Sequence, residues 1–299
     1  MSITVAEPSE TEVRPFLAYS FRHLSKQDCG IRIASVINGR QKTGVNVTDG
    51  MFQATKNGVR VGALYCSYRA DNNILLWSPT VDDPEALPPL YDALEAYREQ
   101  KQAKKMIAMR DNQQDEAESQ LVALGRFEYV SDILYLAKEN CRSFQPEKLR
   151  FLPLSERTDG MTGLARIVQR TYTNTADFPA LLNRSSAEEM LRLYQAESPF
   201  SDDLWFFVQK DGEDIGALLL SDHSEQLELI YMGLIEEYRG ENLSCEMVRF
   251  TENLARTRAR PFLMTAVDKQ NIAAVRAYTA QGFRIWDHKS VYLSLKNHF

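Results

Sequence analysis

Cysteine is scarce in this chain and scattered. Cys29, Cys66, Cys141 and Cys245 form no C-x-x-C pair, which argues against a disulfide scaffold or a zinc site and for a reduced, intracellular protein. No apolar run is long enough to span a bilayer. The opening stretch, MSITVAEPSETEV, lacks the basic-then-apolar pattern of a secretion signal. Positive charge is not in surplus either. Lys and Arg number 35 against 41 Asp and Glu, a formal net charge of −6, so a general electrostatic grip on nucleic acid is not expected. The sequence offers no nucleophile triad and no metal-ligand spacing. These absences lead us to expect a cytoplasmic protein with no metal, no membrane partner and no nucleic-acid partner.

What is present is enough apolar material for large cores. With 299 residues, 44% of them hydrophobic, and about 150 residues per domain, two domains are expected. The first half reads as a helix over 12–24, interrupted by Pro15, then strands over 51–55, 59–69 and 74–77. Asn57-Gly58 between the first two is a strong hairpin signal. Residues 30–50 give no clear period. SPTVDDPEALPP, with four prolines, breaks the pattern. A helix over 90–102, a strand over 105–110, a helix over 115–124 stopped by Gly125, and alternating β-structure over 127–137 close the half.

A linker over 141–148 follows, and then the order recurs. It runs through a strand at 150–153, a helix at 160–172 and a long insert over 173–198 with a helix near 187–195. A hairpin of 204–209 and 215–222 turns at Asp211-Gly212. Next come a strand at 227–234, a helix from Leu243, a strand at 262–267, and a helix at 272–281 ended by Gly282. Short strands at 284–286 and 291–296 finish the chain. The letters repeat as well. VGALYCSYRADNNILLWSPTVDD at 61–83 lies without a gap over IGALLLSDHSEQLELIYMGLIEE at 215–237, and LGRF at 124–127 pairs with QGF at 281–283. We read a tandem duplication of one α/β unit, over about 1–144 and 145–299.

The most informative stretch is LELIYMGLIEEYRGENLSCEMVRFTENL, residues 227–254. It starts as a strand. From Leu243 the period changes, and Leu243, Met247, Phe250 and Leu254 recur at helical spacing. A strand turning through Arg239-Gly240 into a helix is a place to hold phosphate, because first-turn amides lack partners and carry the positive end of the dipole. Gly240 lets the backbone come close to a ligand. The same letters also fit an ordinary strand–helix junction.

The second half resembles the GNAT family of acyl-CoA N-acyltransferases. LELIYMGLIEEYRGENLS is similar to the family's pyrophosphate-binding segment. Some 30 residues on, a strand ends Thr265-Ala266-Val267, and Asn271, Ala274, Tyr278 and Gly282-Phe283 follow the family's N-x-x-A-x-x-x-Y-x-x-x-G-F pattern. The resemblance implies an α/β (α+β) fold of two tandem GNAT-like domains, each a mixed, mostly antiparallel sheet flanked by helices. It implies acetyl-CoA as co-substrate and a small-molecule or peptide amine as acceptor. The implied coenzyme contacts are Leu234, Arg239, Gly240, Glu241, Asn242, Leu243, Ser244, Asn271 and Tyr278. The loop departs from the family pattern, since only its first glycine is kept. Asn242 tolerates left-handed backbone and Ser244 is small, while Glu241 adds a charge that opposes phosphate. Arg256, Arg258 and Arg260 fit either a ribose phosphate or a solvated helix end.

The first half looks like a worn copy. Glu85 stands where Arg239 is and Ala86 where Gly240 is, and Asp82, Asp83 and Glu85 crowd the helix entrance, where they repel phosphate. Gln114 and Leu121 replace the family's Asn and Tyr. Residues 1–144 are therefore expected to bind no coenzyme, and 145–299 to carry the acyl-CoA site.

By the family resemblance, a backbone amide near Leu234 supports the thioester carbonyl. Tyr278 protonates the leaving thiolate, a task that suits a phenol of pKa near 10; it equally fits a core aromatic beside Ala274. Glu228 is the expected general base, given burial or a relaying water, and a solvent-facing strand residue fits as well. His223 is a second candidate base, and Asn271 contacts the coenzyme, caps its helix, or both. Tyr172, Asp177, Phe178 and Arg184 are expected to line the acceptor pocket. The function expected is N-acetyl transfer from acetyl-CoA to an amine by direct attack. Two rivals are a binding or regulatory tandem protein with decayed coenzyme sites and a Fem-type transferase that uses aminoacyl-tRNA, which the acidic balance opposes.

Overall fold

The structure, a computed structural model, describes residues 2–77, 79–111, 127–139, 141–177 and 186–295. The chain forms two compact units, Met1–Val130 with Ser290–Phe299, and Ser131–Lys289. In the first unit β1 (Thr4–Ala6), β2 (Met51–Lys56), β3 (Val59–Tyr68) and β4 (Asn73–Trp77) are successive antiparallel neighbours. A short β5 (Thr80–Val81) pairs with β3, and β6 (Lys105–Asp111) runs parallel to β4. Side chains alternate across a strand, so β3 serves two cores. Leu64 packs with Leu90 and Leu94 of α3 (Leu87–Lys101), while Ala63 and Tyr65 pack with Phe16 and Leu17 of α1 (Val13–Ser20).

Residues 30–50, which show no period, hold most of α2 (Lys26–Thr43). Ser25 Oγ accepts from the Asp28 amide at 3.1 Å to start it, and Gly44 ends it at φ +68°. The helix buries only Ile33 and Arg40, too few for a periodic signal. The proline-rich break also ends sooner than expected. α3 begins at Leu87, with Pro88 and Pro89 in its first turn, where a missing amide costs nothing.

In the second unit β7 (Glu128–Glu139) lies antiparallel to β12 (Phe262–Asp268), and β12 runs parallel to β11 (Gln226–Leu234). Then β10 (Glu213–Asp222), β9 (Trp205–Lys210) and β8 (Arg150–Pro153) continue the sheet antiparallel. The helices are α4 (Gly160–Thr171), α5 (Ala187–Glu197), α6 (Leu243–Thr257) and α7 (Ile272–Ala280). Ile215–Ser221 of β10 is buried throughout, as in a strand covered on both faces. Both units share one strand pattern: an antiparallel hairpin, a third antiparallel strand, then a parallel one.

The closing strands differ from expectation. The division expected at 144/145 falls inside the second unit, which takes in Ser131–Lys289 and so most of β7. The physical reason is the outer edge of β12. Residues 133–139 pair along it, Leu134 and Leu136 enter the second unit's core, and Lys138 forms a buried ion pair with Glu252 at 2.7 Å. The two short strands expected at the end of the chain are one, β13 (Arg284–Leu295), and its residues from Ser290 on belong to the first unit. The helix expected over 115–124, with Gln114, Leu121 and Gly125, lies outside the described residues. Among the described residues no helix is long and apolar enough to cross a membrane, and no group of three or more His, Cys, Asp or Glu is placed to hold a metal.

Candidate active site

The site arises where two parallel strands part. β11 and β12 are paired only from Gln226↔Phe262 to Leu229↔Thr265. Against β10, Leu219 faces Tyr231 and Leu220 faces Leu229, so Ile230 is the extra residue of a bulge. A bulge bends its strand and increases its twist. Beyond it a cleft of about 310 Å³ lies between Ile230–Leu234 on one side and Ala266 and Val267 on the other. Backbone groups of this part of β11 that would have bonded β12 have lost that partner, and a buried backbone group needs one. The walls are completed by the loop after α4, the start of α6 and one face of α7.

The loop expected to hold phosphate keeps an open form. Gly240 has φ +84°, and nothing lies within 4 Å of where a Cβ would stand. Asn242, where the family pattern has its second glycine, takes the left-handed conformation at φ +59°. It is the N-cap of α6 but makes no side-chain cap bond, so the first-turn amides are not closed off by their own cap. Glu241 pairs with Lys210 at 2.7 Å, which offsets the charge expected to oppose phosphate. Leu243 is buried in the core, and Ser244 lines the cleft.

Arg239 has a task the sequence did not suggest. Its guanidinium donates to the carbonyls of Leu234 (3.0 Å), Asn174 (3.1 Å) and Thr171 (2.8 Å). It thereby ties the end of β11, the turn after α4 and the glycine loop together, and its donors face protein. Hydrogen bonds from a charged donor contribute about 1.5–3 kcal/mol each. Arg239→Lys, which cannot reproduce the three-way fork, is expected to lower Tm by several degrees in calorimetry and to weaken acetyl-CoA binding with it. Unchanged Tm and affinity would show that the tether is dispensable. Arg258 and Arg260 are held by Asp222, at 3.3 and 2.5 Å, which fits the helix-end reading of that cluster.

Tyr278 is at once a core aromatic and a residue of the cleft wall. It is 4% exposed and packs on Phe283 with ring centroids 5.4 Å apart, yet it lines the cleft. Burial pushes its phenol well above the usual range, partly opposed by the Thr265 hydroxyl, so Tyr278 is a neutral donor at any ordinary pH. Asn271 caps α7, accepting from the Ala274 amide at 3.2 Å, and also lines the cleft.

The structure does not bring Glu228 to this place. Its Oε2 lies 3.1 Å from His223 Nε2, so the two candidate bases are each other's partners, and neither lines the cleft. The reason is position: Glu228 precedes the bulge, where β11 is still paired with β12. Of the expected acceptor-pocket residues, Tyr172 is buried edge-on to Tyr231, Asp177 lines the cleft, and Phe178 and Arg184 lie outside the described residues.

The corresponding described strands of the first unit do not part. β4 and β6 stay paired from Asn73↔Lys105 to Trp77↔Met109. Asp83 Oδ1 accepts from the Glu85 amide at 3.0 Å, and Lys56 bridges Asp83 and Glu85 at 2.8 and 3.0 Å. A protein carboxylate thus occupies the helix entrance, and Pro88 and Pro89 remove two first-turn amides.

Residues 168–283 match the family model described as the acetyltransferase (GNAT) family. The peptidyl-lysine N-acetyltransferase YjaB of Salmonella typhimurium is 28% identical over 128 residues, which cover 43% of this chain and 79% of that protein. Among solved structures, a GCN5-related N-acetyltransferase from Sphaerobacter thermophilus is similar with a TM-score of 0.65 at 13% identity, covering 98% of this chain and 95% of that one. A tandem GNAT protein from the clavulanic acid biosynthesis pathway is similar with a TM-score of 0.54 at 11% identity, with 98% of each chain covered.

Proposed function

We propose that the chain, through residues 168–283, acts as a member of the GNAT acetyltransferase family that this segment matches, and that its second unit moves the acetyl group of acetyl-CoA directly to an amine in the β11/β12 cleft. The family is one of acyl-CoA-dependent N-acyltransferases, with acetyl-CoA as co-substrate. One observation carries the proposal: the strands part at Leu229↔Thr265 and lead to a glycine loop with an uncapped helix start. The loop amides and the dipole of α6 take the pyrophosphate. The freed backbone of Ile230–Leu234 holds the thioester end of the coenzyme and supports the charge that develops on its carbonyl oxygen. Catalysis comes mostly from holding amine and thioester together. The decayed-site reading is disfavoured by Gly240 and Asn242, which keep the positive φ that an open loop needs. The first unit, with its entrance filled by Asp83, binds no coenzyme.

Titration calorimetry with acetyl-CoA tests this. One site per chain is expected, and two equivalent sites would overturn the division of labour. Gly240→Val should weaken binding at least ten-fold. A β-branched residue at positive φ is strained by about 1–3 kcal/mol, and its bulk fills the space beside the amides. Undiminished affinity would remove the loop from the coenzyme site. The acceptor is an amine of a small molecule or peptide. A screen of a single-lysine peptide, a polyamine and an amino sugar separates these classes.

A further inference from the structure

We infer that Asp177 is the group that receives the amine's proton and orients the incoming ammonium in the cleft. This rests on the acetyl-transfer reading above and names a role within it. Among the described residues that line the cleft, Asp177 is the one carboxylate, and none is a histidine. The stretch around it, residues 173–186, carries no other carboxylate in its sequence. The strand residue with the right chemistry, Glu228, is outside the cleft and tied to His223. Asp177 is held in place: its Oδ1 accepts from the Asp268 amide at 3.4 Å, and the Asn271 side chain hydrogen-bonds to it. Asp268 is itself fixed by Ser131 and by the Gln270 amide at 2.8 Å. An ionised carboxylate has about four acceptor sites, so these bonds leave acceptor capacity for a substrate N–H.

Among the described residues, the groups coupled to Asp177 come from four elements. They are Asp268 at the end of β12, Asn271 and Tyr278 on α7, Tyr231 on β11, and Tyr172 at the end of α4. Desolvation raises its pKa most and the Asp268 charge adds to this, while the Asp268 amide and Asn271 work the other way; the net direction is up. A carboxylate shifted upward is a better base.

The ammonium gives one proton to Asp177, and the neutral amine forms the C–N bond to the thioester carbon. The C–S bond breaks with its electron pair on sulfur. The nitrogen loses a second proton, and the thiolate gains one through Tyr278. Asp177 then releases its proton to solvent. The products are the N-acetyl amide, coenzyme A as its thiol, and one proton.

The test uses the full chain, Asp177→Asn and Glu228→Gln, with a single-lysine peptide and methoxyamine as acceptors. Methoxyamine is uncharged at neutral pH and needs no base to form its nucleophile. Asp177→Asn should bind acetyl-CoA like the parent yet lose about 10²–10⁴-fold in kcat/KM with the peptide. The loss should shrink as pH rises and be small with methoxyamine, and Glu228→Gln should keep the parent rate. A full-rate Asp177→Asn, or an equal loss with both acceptors at every pH, overturns the inference. Carbon NMR of the Asp177 carboxyl gives a readout without turnover. Its midpoint should lie above the usual carboxylate range and fall when n-butylammonium saturates the CoA-bound protein, because a nearby cation favours the ionised form. A midpoint indifferent to n-butylammonium also overturns it. Failure of the parent to bind acetyl-CoA would instead reject the reading on which this rests.

Discussion

Tyr278→Phe will lower kcat and kcat/KM together, by about 10²–10⁴-fold, and leave acetyl-CoA affinity nearly unchanged. The ring stays, and with it the packing on Phe283 and the α7 face of the cleft. Only the hydroxyl goes. Its burial adds a constraint on mechanism. A phenolate left in the cleft would be strongly disfavoured, as the upward pKa shift indicates. If Tyr278 protonates the thiolate as proposed, it would take back a proton from the amine nitrogen as it hands one to sulfur, acting as a relay. The loss should shrink with an acyl donor whose thiol is more acidic, because that leaving group needs less help. A full-rate Tyr278→Phe enzyme would leave Tyr278 as a core residue and make solvent the proton donor.

A fragment of residues 145–299 will fail to fold cooperatively, whereas 128–289 will fold and bind acetyl-CoA. The first fragment lacks β7. It loses Leu134 and Leu136 from the core and the pairing along β12. Burial of each leucine contributes about 1.5–3 kcal/mol. Without Lys138, Glu252 is left buried and unpaired, which costs about 3–5 kcal/mol. Together these rival the about 5–15 kcal/mol by which a domain is stable. Urea denaturation followed by circular dichroism checks this. Cooperative unfolding of 145–299, with parent-like affinity for acetyl-CoA, would show that β7 is an accessory strand.

Much of the second half was legible because its signals are local. The hairpin turn at Asp211-Gly212, the change of period at Leu243 and the stop at Gly282 each depend on a few adjacent residues, and the structure has β9–β10, α6 and the end of α7 there. The left-handed backbone at Asn242 was likewise foreseeable from the residue type. α2 was not, because its apolar face is thin and Gly30 and Gly39 interrupt it. The place of Glu228 relative to the cleft was not legible for a different reason. The chemistry of a side chain can be read from its letter, but whether it precedes or follows a bulge depends on pairing with another strand.

The sequence by itself determined most of the element order of the second half, the repeat of letters between 61–83 and 215–237, and the resemblance carried by Asn271, Ala274, Tyr278 and the Arg239-Gly240 loop. Those are properties of composition, period and spacing along the chain. Only the tertiary structure decided three things. β7 completes the second unit, because an exposed edge on β12 needs a partner from anywhere in the chain that can supply one. Arg239 serves the protein's own carbonyls, because three segments distant in sequence converge on it. And Asp177, expected from the sequence only to line the acceptor pocket, becomes the one carboxylate among the described cleft residues, because the parting of β11 and β12 opens a space beside it. Each depends on long-range pairing, which leaves no periodic trace in the sequence.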